Sequence, residues 1–327
     1  MTPKNPVAAP HTHTAAVIYN PIKVDLDAIK AAVATEEAAA GWRATQFFPT
    51  SVDDPGQGAA QEALDAGVDL VIVAGGDGTV RAVAEIVHES AASLALLPSG
   101  TGNLFARNLE LTLDDVEDAI RTAFTGVKRP VDLGLIEIRH GDGSLTKHAF
   151  LVMAGLGLDA KMLANTDEEL KKKVGWLAYV SAIVKALLDK SELRVRYRLD
   201  GGRVKSVRAH TIIIGNCGSL QANVLLLPDA AVDDGFFDIA VLRPDGPFGW
   251  VQIAAKVFWE NGVLRRTKLG SKVPTKDVHA LNYVKAAEIT MRLSGAEEIE
   301  LDGDGLGDAT AIKARLKPAG LNVMVPR

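Results

Sequence analysis

The chain has 327 residues, 47% of them hydrophobic and 24% charged, with a formal net charge of −5. This suffices for two domains with separate cores, and it excludes a disordered chain and a broad basic face for nucleic acid. One cysteine, Cys217, excludes an internal disulfide, and no apolar run reaches the ~18 residues of a membrane-spanning helix, so a cytoplasmic protein is expected.

Residues 1–14 are polar, hold three prolines and lack the apolar core of a signal peptide, so a loose tail is expected. Residues 15–20 form a first strand that ends at Asn20-Pro21, and an alanine-rich helix follows over 26–40. A second strand covers 42–48 and ends at Pro49-Thr50, followed by a helix over 55–66. Residues 70–74 are continuously apolar and rich in β-branched types, the pattern of a strand buried on both faces. Gly75-Gly76-Asp77-Gly78-Thr79 breaks that strand, and helical spacing resumes over 80–87. A fourth strand at 93–98 closes with Ser99-Gly100-Thr101-Gly102-Asn103, which opens a helix through Arg107. A helix over 113–124 and a crossover at 126–129 complete this half. Strands alternating with helices predict a doubly wound parallel sheet, whose ligands bind beyond the carboxyl ends of its strands.

From residue 130 the pattern changes to short alternating strands, at 131–139, 148–153, 193–199, 204–215, 223–227, 237–242, 278–284, 287–293, 299–302, 312–316 and 321–325. Helices are expected at 168–190 and 248–261. The organisation predicted is therefore a tail (1–14), an α/β domain (15–129) and a β-rich antiparallel domain (130–327). Residues 265–276 carry five cations and no acid. They read as a solvated loop that an anionic bilayer would attract.

The Gly75 turn carries the most chemistry. Glycines let the backbone approach an anion, and the following helix N-terminus offers unpaired N–H groups. Asp77 beside a phosphate is repulsive unless a divalent cation lies between them, which points to Mg²⁺-nucleotide. The alternative is an ordinary strand-to-helix turn with Asp77 and Thr79 as caps. No Gly-x-x-x-x-Gly-Lys-Ser/Thr occurs, so a P-loop is excluded. Gly155-Leu156-Gly157-Leu158-Asp159-Ala160 imitates a dinucleotide fingerprint without the acid-ended strand that should follow. Cys217 reads as a buried inert thiol, and the seven histidines show no metal-ligand spacing.

Six stretches, in order, carry a resemblance. They are Gly75-Gly76-Asp77-Gly78-Thr79; Pro98-Ser99-Gly100-Thr101-Gly102-Asn103-Leu104-Phe105-Ala106-Arg107; Val131-Asp132-Leu133-Gly134; Ala154 through Ala160; Gly175-Trp176-Leu177-Ala178-Tyr179; and Pro228 through Asp238. Together they resemble the lipid kinases that include bacterial diacylglycerol kinases and sphingosine kinases; the first turn alone is shared with NAD kinases. The resemblance implies transfer of the γ-phosphoryl group of ATP to a lipid hydroxyl, with diacylglycerol as first candidate, in an interdomain cleft. It implies nucleotide contacts from Asn20, Pro21, Thr50, Gly75, Gly76, Asp77, Gly78, Thr79, Val80, Arg81, Gly100, Thr101, Gly102 and Asn103, with Asp77 facing the Mg²⁺-phosphates. It also implies a charged network of Arg107, Asp132 and Asp234 leading to a structural Mg²⁺ held by Asp234 with carbonyls of Ala231 and Phe236. The expected partner is a lipid at the inner membrane surface, and edge strands of the second domain would permit a homodimer.

Three departures from the family pattern stand out. In Glu300-Leu301-Asp302-Gly303-Asp304-Gly305, Asp304 occupies the position of the family's glutamate general base. The two acids differ little in basicity, but the arm is shorter by roughly 1.5 Å. Arg81 stands where an asparagine is common, and Asn20-Pro21-Ile22-Lys23-Val24 lacks a frequent glycine. An active kinase with an aspartate base is expected; the alternatives are an NAD kinase-like enzyme or a catalytically weak ATP- and lipid-binding protein.

Overall fold

The computed structural model describes residues 13–157, 192–218, 227, 229–243 and 281–327. The expected helices at 168–190 and 248–261, the cationic stretch 265–276 and nearly all of the strand at 223–227 lie outside the described residues. The chain has an N-terminal α/β layer with a parallel sheet and a C-terminal antiparallel β-rich part. No helix among the described residues is long and apolar enough to cross a membrane.

The first layer contains β1 (Ala15–Tyr19), α1 (Leu26–Ala40), β2 (Gln46–Pro49), α2 (Gln57–Asp65), β3 (Leu70–Gly75), α3 (Asp77–Val87), β4 (Ser93–Pro98), α4 (Leu104–Asn108) and α5 (Val116–Thr125). Its strands run parallel in the order β2-β1-β3-β4. The strand order reverses between β1 and β3, and at such a switch point the carboxyl ends open a crevice. Every residue of β3 is buried, because both faces are covered. Val71 and Val73 pack with Val83 and Val87 of α3 on one side, while Leu70 and Ile72 pack with Ile29 of α1 and Ile120 of α5 on the other. The 2.0-residue strand period thus feeds two separate cores from one apolar run. Local chemistry sets the helix ends: Asp25 Oδ1 accepts from the N–H groups of Asp27 and Ala28 at the start of α1, and Gly41 at φ 70° closes it.

The second part contains β5 (Val127–Arg139), β6 (Leu145–Phe150), β7 (Met153–Leu156), β8 (Leu193–Leu199), β9 (Lys205–Ala209), β10 (Thr211–Gly215), β11 (Phe237–Leu242), β12 (Leu281–Ala286), β13 (Glu288–Leu301) and β14 (Asp304–Val325). The expected crossover at 126–129 is instead the start of β5, because β14 runs beside it from Val127↔Val325 to Arg139↔Ala311. The end of β14 also lies parallel to β4 through Val323↔Leu94, so the last strand joins the two sheets into one. Strands expected at 312–316 and 321–325 fuse into β14, and those at 287–293 and 299–302 into β13. In both cases the intervening residues are absorbed as register shifts within a continuous pair. Conversely, the expected strand 204–215 divides at His210, because β9 pairs with β8 whereas β10 pairs with β7 and β11.

Gly134 shows how tightly the second core is built. It lies opposite Phe150 in the β5–β6 pair, and the Phe150 ring fills the space that a Cβ at Gly134 would need. That ring stacks on Phe237 with centroids 5.4 Å apart, so it has little room to yield. Gly134→Ala should therefore lower stability by about 1–3 kcal/mol, the usual cost of overpacking, read as a fall in the urea midpoint at unchanged slope.

Candidate active site

At the carboxyl ends of β3 and β4 two glycine turns meet. A Cβ on Gly100 would fall 2.7 Å from the Gly76 Cα, so the turns touch backbone to backbone and Gly100 tolerates no side chain without moving. Asn103, at φ 48°, locks the second turn: its Oδ1 accepts from Gly100 N–H at 3.0 Å and its Nδ2 donates to Gly100 O at 2.9 Å. Asp77, the first residue of α3, accepts from Leu104 N–H at 2.6 Å and so ties the first turn to the start of α4. Asp77 thus caps the start of α4 and not its own turn, where it and Thr79 were the expected caps: the N-cap of α3 is Gly76, with no side-chain cap. The crevice is bordered by Asn20, whose Oδ1 accepts from Ile22 N–H at 3.0 Å, and by buried Thr50, whose N–H donates to Tyr19 O at 2.8 Å. The structure thus gathers Asn20, Thr50, residues 75–81 and residues 100–103 at one sheet edge, as the sequence implied; Pro21 follows Asn20 there.

The third component arrives from the far end of the chain. β13 and β14 form a hairpin whose two turn residues, Asp302 and Gly303, both have positive φ (51° and 93°). Asp-Gly flanked by alternating strands is the preferred sequence for such a tight turn. Asp304 then begins β14 with its carboxylate against the Gly78 backbone: a Cβ there would lie 2.7 Å from Asp304 Oδ2. Arg81 of α3 pairs with the same oxygen at 3.1 Å. The expected base is therefore seated against that turn, and a side chain at Gly78 would displace the Asp304 carboxylate.

Asp302, which sequence reasoning did not single out, fixes that hairpin tip. It is buried, and its carboxylate accepts from the N–H groups of Leu151 and Val152 at 2.8 Å and Met153 at 2.9 Å. Burial raises its pKa to about 6, against the opposing pull of those amides and of Arg81. Asp77 is also raised, chiefly by burial, with the Asp304 carboxylate adding to it and the amides of Leu104, Phe105 and Asn103 opposing. Asp77 and Asp304 place two carboxylates beside backbone amides at a helix start, a donor set that fits a hard divalent cation. Among the described residues no group of three or more His, Cys, Asp or Glu could hold a metal by itself. One or two carboxylates plus substrate oxygens is the way Mg²⁺ is usually held.

Of the residues implied as a charged network, Asp132 and Asp234 meet at one turn through Gly235. Arg107 Nε donates to Gly102 O at 2.9 Å and forms no ion pair with Asp132 or Asp234 among the described residues. Buried Asp132 accepts from Gly235 N–H at 2.7 Å and Ala319 N–H at 2.8 Å, joining three segments of chain. Asp234 accepts from Phe236 N–H at 3.0 Å, and its other oxygen is held by Lys285 Nζ at 2.7 Å. That ammonium also reaches Asp238 at 3.1 Å and the Asp229 carbonyl at 2.9 Å, so the chain supplies its own positive charge beside Asp234. Nothing in the spacing of residues 229–285 announced that lysine.

Comparison with known proteins follows this geometry. Residues 14–136 match the diacylglycerol kinase catalytic domain, and residues 152–325 match the YegS C-terminal NAD kinase beta sandwich-like domain. A Pseudomonas aeruginosa protein named "Probable lipid kinase YegS-like" is 30% identical over 301 residues, covering 91% of this chain and 89% of its own. A Bacillus subtilis diacylglycerol kinase is 27% identical over 269 residues, covering 81% and 80%. A crystal structure of a diacylglycerol kinase from Bacillus anthracis superposes with TM-score 0.70 at 25% identity over 96% of this chain and 97% of that one.

The Asp302 anchor makes a specific pH dependence testable. Its folded pKa lies above the unfolded value, so the folded state keeps a proton that the unfolded chain has already released. The stability from that proton is fully present below pH ~4 and is lost as pH rises through about 6. Urea unfolding of wild type against Asp302→Asn should show the wild type losing on the order of 3 kcal/mol relative to the variant between pH 4 and pH 7. A difference that stays flat with pH would contradict the assignment.

Proposed function

The chain belongs to the lipid kinase family that contains the diacylglycerol kinases, and we propose that it transfers the γ-phosphoryl group of ATP to a lipid hydroxyl, with diacylglycerol the first candidate acceptor, where the two glycine turns meet the β13–β14 hairpin. The observation that carries this reading is the Asp304 carboxylate lying against Gly78. A candidate base thereby sits on the turn that would hold the phosphates, so the attacking hydroxyl and the transferred group can share one position. Phosphoryl transfer asks little covalent chemistry of the protein; positioning and charge neutralisation dominate.

In this reading the backbone amides of residues 75–81 and 100–103 hold the phosphates, and Asn20, Pro21 and Thr50 border the nucleotide at the adjoining strand ends. Asp77 would hold Mg²⁺, which would supply positive charge against the phosphates. Asp304 accepts the proton of the lipid hydroxyl as it attacks. Asp132 keeps residues 235 and 319 in register behind the cleft. The lipid comes from a membrane surface that the protein meets from the cytoplasmic side without spanning it. Support for a lipid rather than a dinucleotide acceptor comes from the relatives: a protein named as a probable lipid kinase aligns over both domains.

The test is transfer of label from γ-labelled ATP with Mg²⁺ to a panel of lipids in mixed micelles, with NAD as a soluble acceptor. The expected result is a labelled lipid, reduced ~10²-fold or more in Asp304→Asn, the usual scale for loss of a general base. Asp77→Ala should abolish it while the protein stays folded. Label on NAD, or tight ATP binding with no labelled lipid, would overturn the proposal.

A further inference from the structure

Arg81 and Asp304 are 223 positions apart in sequence, yet Arg81 Nη2 lies 3.1 Å from Asp304 Oδ2. Of the departures from the pattern of the family that the chain resembles, these two differ in side-chain length. The acid has lost one methylene, roughly 1.5 Å of reach. Opposite it, a side chain long enough to cross the gap stands where a short amide is common. The surroundings of Arg81 fix its direction. Its side chain is only 8% exposed, against 47% for Asp304, and Glu85 one turn along α3 holds Nη1 at 3.6 Å. Glu85 is in turn 3.6 Å from His148 Nδ1, so the guanidinium is braced from behind and offered forward.

This is not a saturated structural bridge. Arg81 Nε and Nη1 find no hydrogen-bond partner among the described residues, an unusual state for so buried a cation. An ion pair retained only for stability would fill those donors, since burying a guanidinium is costly. The other Asp304 oxygen, Oδ1, makes no hydrogen bond among the described residues. One oxygen held and one open is the arrangement a short base needs, provided something else sets its position.

We propose that Arg81 is the positioning residue for Asp304: it takes Oδ2 across the cleft and so sets the short carboxylate with Oδ1 open to the acceptor hydroxyl, compensating for the missing methylene. The two departures are one coupled change. Each alone is a defect, and together they restore the working geometry. This rests on the lipid kinase reading above and adds to it which residue makes an aspartate base sufficient.

Four proteins test it: wild type, Arg81→Asn, Asp304→Glu and the double variant, assayed for lipid phosphorylation at saturating Mg²⁺-ATP, with ATP affinity measured separately. Arg81→Asn should lower kcat more than tenfold. Asp304→Glu alone should lower it as well, because the longer acid meets a guanidinium already occupying its space. The double variant should recover to within a few-fold of wild type, an outcome that a merely structural Arg81 would not produce. Losses that multiply in the double variant would overturn the proposal, as would a lowering of ATP affinity that accounts for the whole Arg81→Asn defect. A wild type that labels no lipid contradicts the kinase reading rather than the pairing. Thermal unfolding of the same four proteins reads the pairing without any acceptor: non-additive shifts in Tm support it and additive shifts overturn it.

Discussion

Three consecutive backbone amides, those of Leu151, Val152 and Met153, converge on the Asp302 carboxylate. That interaction decides where the β13–β14 hairpin ends, and the site depends on it. Without an acceptor the amides would be buried and unpaired, and without the amides a buried carboxylate would have no partner; each makes the other tolerable. With the tip pinned, Gly303 can turn the chain and Asp304 falls on Gly78. In the proposed reading the parallel sheet would offer a place for an anion where the two glycine turns meet, and the antiparallel part would bring Asp304 beside it.

Much of this was legible in the sequence where a short stretch contained its own reason. The β3–turn–α3 unit could be read from its apolar run and its glycines, because both the burial and the turn are local properties. The doubly wound order followed from alternating periods. Element ends were less legible: strands at 312–316 and 321–325 look separate until one sees that β5 lies beside the whole of β14 and absorbs the irregularity as a register shift. The start of β5 at Val127 was hidden for the same reason, since its partner is the last strand of the chain. Pairing over such separations leaves no local trace.

The site shows the same division. Gly78, Gly100 and Asp77 announced themselves, although the contact of Gly78 with Asp304 appears only in three dimensions. Asp304 came from resemblance, and Arg81 from a departure whose meaning needed its partner. Asp302 carried a signal that could have been used, the Asp-Gly turn between alternating strands. Lys285 carried none. It neutralises Asp234 and Asp238 from a neighbouring strand, and a lysine on an edge strand ordinarily reads as a solvated guard against aggregation.

In the proposed function the two touching glycine turns form the nucleotide phosphate site. Backbone hydrogen exchange with and without Mg²⁺-ATP tests it most directly, because the proposed ligands are the amides themselves. The account predicts slowed exchange concentrated in residues 75–81 and 99–103, with little change across β8 and β9. ATP binding that leaves both turns unprotected would contradict it.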